Sequence, residues 1–294
     1  MVTVRAPATS ANLGSGYDVF GVALAGPADV VTVDRADTTT IEVVGAGSQY
    51  IPEDPGENTA GVVADALDVT ASIHIDKGIR PASGLGSSAA SAAATAVALD
   101  ALYSLGTTDE GLVDAAAAGE AAVAGTAHAD NVAPAILGGF TAVATDGIVH
   151  TDTPVGVPVV ACLPDLVVST RDARAVVPDT VTTTDLTTVV GDAATLVAGM
   201  YDADPALIGR GMTPDPASRA RSDLVEGYDA VVTAARDAGA TGVTVSGAGP
   251  AVLAVPRVGA DRRVAAAMVD AFEDRGVAAR AYRTTIGAGA RFLS

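Results

Sequence analysis

The sequence has 294 residues, 49% hydrophobic but only 3% aromatic, with no tryptophan and a formal net charge of −18. That length suits one large domain or two ordinary ones, and that charge repels nucleic acid and anionic membranes, so neither is expected as a partner. The single cysteine, Cys162, excludes an internal disulfide and a cysteine-rich metal site.

Residues 6–24, "APATSANLGSGYDVFGVAL", are too polar and bent for a simple strand and read as a long loop before one. Alternation and β-branched residues predict strands at 28–34, 40–45 and 71–76. From Ser87 to about Leu105 alanine and leucine dominate, no Gly or Pro intervenes, and serines stand at the start. That is a helix with an N-cap signal. A second helix is expected from about Thr108 to Val123, then strands in "GGFTAVAT" and "IVHTDT". A new alternation opens with "VPVVACLP", in which Cys162 reads as a small buried hydrophobe. Residues 179–188 read as a loop or an irregular approach to a helix. Helices near 189–200 and 222–238 follow. "GATGVTVSGAGPAVLAVP" is strand, glycine turn and strand, and a helix at 261–275 and a strand near 278–284 close the pattern. Strands and helices mixed without strict alternation predict an α+β fold. A boundary near residue 155 gives domains of 1–155 and 156–294.

The opening residues lack a long apolar run with a cleavage pattern, so no signal peptide is expected. No apolar stretch reaches the roughly 18 residues of a membrane span, and a soluble, cytoplasmic protein is expected. An acidic, alanine-rich chain whose one lysine is Lys77 fits a salt-rich cytoplasm, a halophilic setting. There, at about 1 M salt, repulsion is screened beyond about 3 Å. A GC-rich genome would give the same bias.

The strongest local feature is "PASGLGSSAAS", 81–91. Gly84 and Gly86 allow unusual backbone angles and close approach of a ligand. The helix that follows offers free N–H groups and the positive end of its dipole, which suits a phosphate. The plain alternative is a glycine turn with serine caps. A Walker A loop is excluded, because Lys77 is followed by Gly78 rather than Ser or Thr. "GLGSSA" fits G-x-G-x-x-A, but the βαβ context of a dinucleotide site is missing. No G-x-S-x-G elbow occurs. "VSGAGPAVLAV", 245–255, taken alone is a hairpin rather than a site.

Taken together and in order, residues 6–24, 81–91 and 245–255 resemble the three motifs of the GHMP kinases, and the resemblance spans nearly the whole chain. Within them, "PATSANLGSGYDVFG", "HADNVAP" followed by "ILGGF", and "VSTRDARAVVP" are most similar to the homoserine kinase family. The resemblance implies an N-terminal domain like domain 2 of ribosomal protein S5 and a C-terminal ferredoxin-like α/β domain, to the first of which the last strand could return. It implies a homodimer and a cleft between the domains. Transfer of the ATP γ-phosphoryl group to the L-homoserine hydroxyl, on the route to threonine, is the implied reaction.

It also implies residue roles. Pro81, Ala82, Ser83, Gly84, Leu85, Gly86, Ser87 and Ser88 would hold ATP, and Ser88 and Glu120 would ligate Mg2+. Arg174 and Arg221 would bind the substrate carboxylate, since a guanidinium grips it through paired bonds. Asn12, Asp18, His128, Asn131 and Thr170 would line the rest, with Asp18, Asn12 and Thr170 nearest the chemistry and no general base assigned. Spacing to "EGY" favours Arg221 over Arg219. For Glu120 the plain alternative is an exposed helix carboxylate, but a lone acid in an Ala/Gly stretch has no helical salt partner, which tilts the reading towards function; without the resemblance His128 reads as a helix-end residue and Arg174 as a surface ion-pair partner. Two departures stand out: Ala82 occupies a place where the family usually has glycine, and "SRAR" replaces Glu-Pro-x-Arg. Two other readings stay open, a GHMP kinase for another small alcohol of the mevalonate or shikimate type, and a catalytically silent metabolite-binding protein.

Overall fold

A computed structural model describes residues 1–125, 127–151 and 156–293. The chain runs β1 (Val2–Asn12), β2 (Gly16–Arg35), β3 (Thr40–Gly45), α1 (Thr59–Ala66), β4 (Ala71–Lys77), α2 (Ser87–Tyr103), α3 (Asp109–Ala124), α4 (Ala129–Leu137), β5 (Phe140–Ala144) and β6 (Gly147–Thr151). It continues through β7 (Pro158–Pro164), α5 (Thr170–Ala175), α6 (Thr183–Asp202), α7 (Pro205–Gly211), α8 (Pro216–Ser222) and α9 (Tyr228–Asp237). It closes with β8 (Ala240–Val245), β9 (Val252–Pro256), α10 (Asp261–Glu273), β10 (Ala279–Thr285) and β11 (Arg291–Phe292). The boundary expected at residue 155, and the end of the strand expected over "IVHTDT", lie outside the described residues.

Among the described residues, one sheet has seven strands, ordered β11-β1-β2-β4-β3, with β5 on β2 and β6 on β5. The other has four, ordered β10-β7-β9-β8. Only β3 and β4 pair in parallel in the first sheet. Near its end β11 returns to pair with β1.

Residues 6–24 are not a loop. They form the antiparallel pair β1 and β2, joined at Leu13–Ser15, with register shifts at Pro7/Thr9 and Ala11/Asn12. The bend the sequence suggested is local: Asn12, Leu13 and Asp18 all have positive φ, at 70°, 50° and 55°. Residues 179–188 are likewise not loop throughout. α6 begins at Thr183 because Thr182 and Asp185 form a reciprocal capping box, which satisfies two helix-end donors at once. The helix expected over 222–238 starts later, as α9 at Tyr228 after Gly227 with φ 86°, and is preceded by the separate α8, which ends at Ser222. α1, α4, α5 and α7 are further elements, all of nine residues or fewer.

α2 is alanine-rich on every side and buried from Ala89 through Ala96. A helix without a polar face belongs inside the core, and methyl side chains let it lie close to β1 and β2, with α1, α3 and α4 around it. The four-stranded sheet is covered on both faces. Val159, Ala161, Leu163, Leu253 and Val255 join the large core shared with the first sheet. The alternate residues Val160, Cys162, Val252 and Ala254 meet α9 and α10. Cys162 is fully buried, and burial raises its thiol to about 12. No described helix is long and apolar enough to cross a membrane.

Candidate active site

One pocket gathers side chains from both halves of the chain. Its floor is the glycine loop. Gly84 (φ +78°) and Gly86 (φ +62°) need the left-handed region, and a Cβ at Gly86 would lie 2.0 Å from Thr9 Oγ1. The expected serine cap on α2 is absent: Gly86 is the N-cap and no side chain bonds the first turn. Ser87 instead donates to the Ile79 carbonyl at 2.8 Å, and Ser88 donates to Glu120 Oε2 at 3.0 Å. The helix mouth is therefore left with uncapped N–H groups facing the pocket, the arrangement that binds anions.

The hairpin turn between β8 and β9 is both hairpin and wall. Gly247, Ala248 and Gly249 line the pocket. Ser246 Oγ donates to the Gly84 carbonyl at 2.6 Å, and the Ala251 amide donates to the Ser83 carbonyl at 3.1 Å. The second half of the chain thus holds the loop of the first.

Beneath the loop lies a buried ion pair that the sequence did not disclose. The Lys77 ammonium contacts Asp29 and donates to the Ser87 carbonyl at 2.7 Å and to Ser91 Oγ at 2.8 Å. Asp29 Oδ1 accepts from the Gly78 and Ile79 amides, each at 3.0 Å. Burial pushes Lys77 down from its ordinary value, against the pull of Asp29. With every ammonium proton directed at a protein acceptor, Lys77 sets the position of the helix mouth. A signal existed: on β4 the buried positions alternate through Ala71, Ile73 and Ile75 to Lys77.

Glu120 is not exposed on its helix. It is 4% accessible, Oε1 has no hydrogen-bond partner, and burial raises its carboxyl to about 7. A buried carboxylate oxygen without a donor, beside a serine hydroxyl at the mouth of α2, is a hard-oxygen set suited to a divalent cation that keeps most of its waters. Among the described residues no group of three His, Cys, Asp or Glu could hold a metal, so a protein-only cage is not what this site offers.

Asn12, Asp18, His128, Asn131, Thr170 and Arg221 line the same pocket. Asn12 Oδ1 accepts from the Asp18 amide at 2.9 Å, and its Nδ2 donates to the Gly247 carbonyl at 3.1 Å. His128 does sit at a helix end, as the N-cap of α4, but its Nε2 is buried without a partner. Burial, then Arg174, lowers its pKa, so the ring is neutral near pH 7. Asn131 accepts from Thr9 Oγ1 at 3.0 Å. Arg174, on α5 with Thr170, donates to Asp18 Oδ2 at 2.5 Å and to the Tyr17 hydroxyl at 2.6 Å.

Arg221 differs. It is 4% accessible and donates to the carbonyls of Ala173 and Gly247 and to the Tyr17 hydroxyl, at 3.2, 3.1 and 3.4 Å. Its guanidinium stacks 4.8 Å from the Tyr17 ring centre. Among the described residues it forms no ion pair. Arg219 is exposed and paired with Asp185 at 2.8 Å. Of the residues expected at the site, Leu85 alone is buried behind the loop without lining the pocket, and Arg174 reaches it through Asp18. Tyr17, Lys77, Asp29 and Asp130 were not expected there.

The GHMP kinases N terminal domain matches residues 57–139, and GHMP kinases C terminal matches residues 196–278. The chain is 62% identical to the homoserine kinase of Halorubrum lacusprofundi over 293 residues, covering 100% of this chain and 99% of that one. It is equally, 62%, identical to the homoserine kinase of Halobacterium salinarum, covering 100% and 97%. The chain belongs to the homoserine kinase family. The crystal structure of homoserine kinase from Cytophaga hutchinsonii superposes with a TM-score of 0.89 at 33% identity, covering 99% of this chain and 97% of that one. Like other GHMP kinases this chain is an ATP-dependent phosphotransferase of mixed α and β structure. Ala82 has φ 52°, a conformation that glycine adopts without strain.

Proposed function

We propose that this chain transfers the γ-phosphoryl group of ATP to the hydroxyl of L-homoserine, giving O-phospho-L-homoserine and ADP, a cytoplasmic step towards threonine. One observation carries the reading: the buried guanidinium of Arg221, without an acidic partner among the described residues, opens on the same pocket as the glycine loop. A buried charge is strongly destabilising alone, and a carboxylate-bearing substrate supplies the missing partner.

In this reading the main chain of Pro81–Ser88 and the open mouth of α2 hold the ATP phosphates. Val43, Ile51, Pro52 and Ile75 give the pocket an apolar arm for the base. Ser88 and Glu120 hold Mg2+, which when bound offsets phosphate charge. Arg221 and Arg174 take the α-carboxylate through charge-assisted bonds, Asp18 takes the ammonium group, and Asn12, His128, Asn131 and Thr170 orient the chain that ends in the hydroxyl. Phosphoryl transfer depends chiefly on such positioning and on charge stabilisation.

The test is a substrate panel. Purified protein with ATP and Mg2+, at low and molar salt, is given L-homoserine, mevalonate and shikimate, and the phosphorylated product is read by 31P NMR. Homoserine is expected to be the favoured acceptor. Robust turnover of only another alcohol would overturn the assignment.

A further inference from the structure

We propose that Tyr17 is a positioning residue whose hydroxyl holds the guanidiniums of Arg174 and Arg221 together as one receptor for the substrate carboxylate. It rests on the reading of those two arginines as the carboxylate site and adds the group that aligns them.

Arg174 is carried by the six-residue α5 and Arg221 by the seven-residue α8. Their like charges repel, and each long side chain has rotamer freedom to lose before it can grip a ligand. Yet both converge on one atom. Arg174 Nη1 donates to the Tyr17 hydroxyl at 2.6 Å, and Arg221 Nη2 donates to the same oxygen at 3.4 Å. The ring adds to the hold. The guanidinium carbons of Arg174 and Arg221 lie 5.7 and 4.8 Å from its centre, inside the cation–π range of about 6 Å.

Tyr17 is itself fixed by both halves of the chain. It follows the turn between β1 and β2, and the segment leading into α8 clasps that turn. Ser15 Oγ donates to the Gly211 carbonyl at 2.6 Å. The Asp215 amide and Ser218 Oγ donate to the Gly14 carbonyl at 2.9 and 3.2 Å. A Cβ on Gly14 would lie 2.5 Å from the Met212 carbonyl oxygen, so turn and segment touch directly. The tyrosine and the helix that bears Arg221 are thereby tied into one unit.

The chemistry of the acceptor suits the task. Arg221 spends Nε and Nη1 on the carbonyls of Ala173 and Gly247, and Tyr17 is the acceptor at Nη2. Asp18 already offsets the charge of Arg174. An acid at position 17 would cancel the second charge and compete with a substrate carboxylate, whereas a phenol accepts hydrogen bonds and leaves that charge in place. Burial, then Asp18, raises the phenol above its ordinary value, which keeps it neutral. Asp18 and Arg221 line the pocket and Tyr17 does not. It therefore acts through the arginines and not on the substrate itself.

The test is Y17F, which removes one oxygen and keeps the ring. Steady-state kinetics at saturating Mg2+ compare wild type, Y17F, R221M and Y17F/R221M on L-homoserine and on 3-aminopropan-1-ol, its counterpart without the carboxylate. Y17F should raise the homoserine KM about tenfold, the loss of a hydrogen bond to a charged group. It should leave kcat, the ATP KM and kcat/KM for 3-aminopropan-1-ol within about twofold of wild type. In Y17F/R221M the rise in homoserine KM should fall short of the product of the two single rises by about threefold or more, because the two groups act together. A rise in homoserine KM below about threefold in Y17F overturns the proposal. So does an equal loss on both alcohols, a loss confined to kcat, or a double variant whose rise equals the product. Equal use of both alcohols by the wild type defeats the carboxylate-receptor reading and this proposal with it; a wild-type preference for homoserine that Y17F keeps undiminished defeats this proposal alone.

Discussion

Arg221 and Arg219 stand two residues apart on α8 and have opposite surroundings. Arg219 is solvent-exposed with an acid beside it, and Arg221 is enclosed among carbonyls and a tyrosine. R221M should therefore raise the homoserine KM by about 30- to 150-fold, the loss of a charge-assisted interaction of about 2–3 kcal/mol. Steady-state kinetics should find ATP KM within threefold of wild type. R174A should act in the same direction. Because an apolar replacement removes a buried unpaired charge, R221M should also melt no lower than wild type without substrate; a lower melting temperature in calorimetry would argue that Arg221 is structural.

Glu120 makes a pH prediction whose sign is fixed by the direction of its shift. Burial raises its carboxyl from the ordinary 4.5 to about 7. Its contribution to stability is complete below pH 4.5 and is lost as pH rises through about 7, by a few kcal/mol at most at 1.36 kcal/mol per unit. Without divalent cations, the melting temperature of wild type relative to E120Q should fall between pH 5 and 8. Added Mg2+ should restore it in wild type and leave E120Q unmoved. At this scale the sequence showed which residue types belong to the site and hid their partners. Lys77 and Asp29 are 48 residues apart, a pairing that no local pattern contains. The alternation of β4 did place Lys77 on the buried face, and in so acidic a chain an inward-facing sole lysine had to have a counter-ion.

The elements that were legible are those whose pattern is local. α2 and β4 follow from alanine content and alternation, and the β8–β9 hairpin from its glycine turn. β1 and the first part of β2 were not, because the glycines and the positive φ angles of Asn12, Leu13 and Asp18 break alternation where the chain lines the pocket, whereas the end of β2 over 28–34 was read as a strand. The start of α6 was missed because threonine is a poor helix former, and the capping box of Thr182 and Asp185 outweighs that. The glycine loop gives two opposed predictions. G86A, with its Cβ 2.0 Å from Thr9 Oγ1 and φ +62°, should abolish binding of an ATP analogue measured by calorimetry. A82G relieves a positive φ, should keep that affinity within threefold, and should change stability by no more than about 1 kcal/mol.

The whole molecule combines a net charge of −18 with a proposed site for anionic ligands. The two are compatible where that site acts through short-range N–H groups and the enclosed guanidinium of Arg221, while the surface field is screened by salt. Turnover should persist in molar KCl, and collapse there would sever the link between acidity and salt adaptation. The architecture was legible because three weak motifs occur in the right order. The pocket itself was not, since it needs Ser246 and Ala251 to reach back to Gly84 and Ser83. The central claim is that the second half of the chain presents a carboxylate receptor to a phosphoryl donor held by the first. Its most direct test is kcat/KM for L-homoserine against 3-aminopropan-1-ol, the same molecule without its carboxylate, in wild type and R221M. A wild-type preference of 10²-fold or more that shrinks to near unity in R221M is predicted; equal use of both alcohols by the wild type would contradict it.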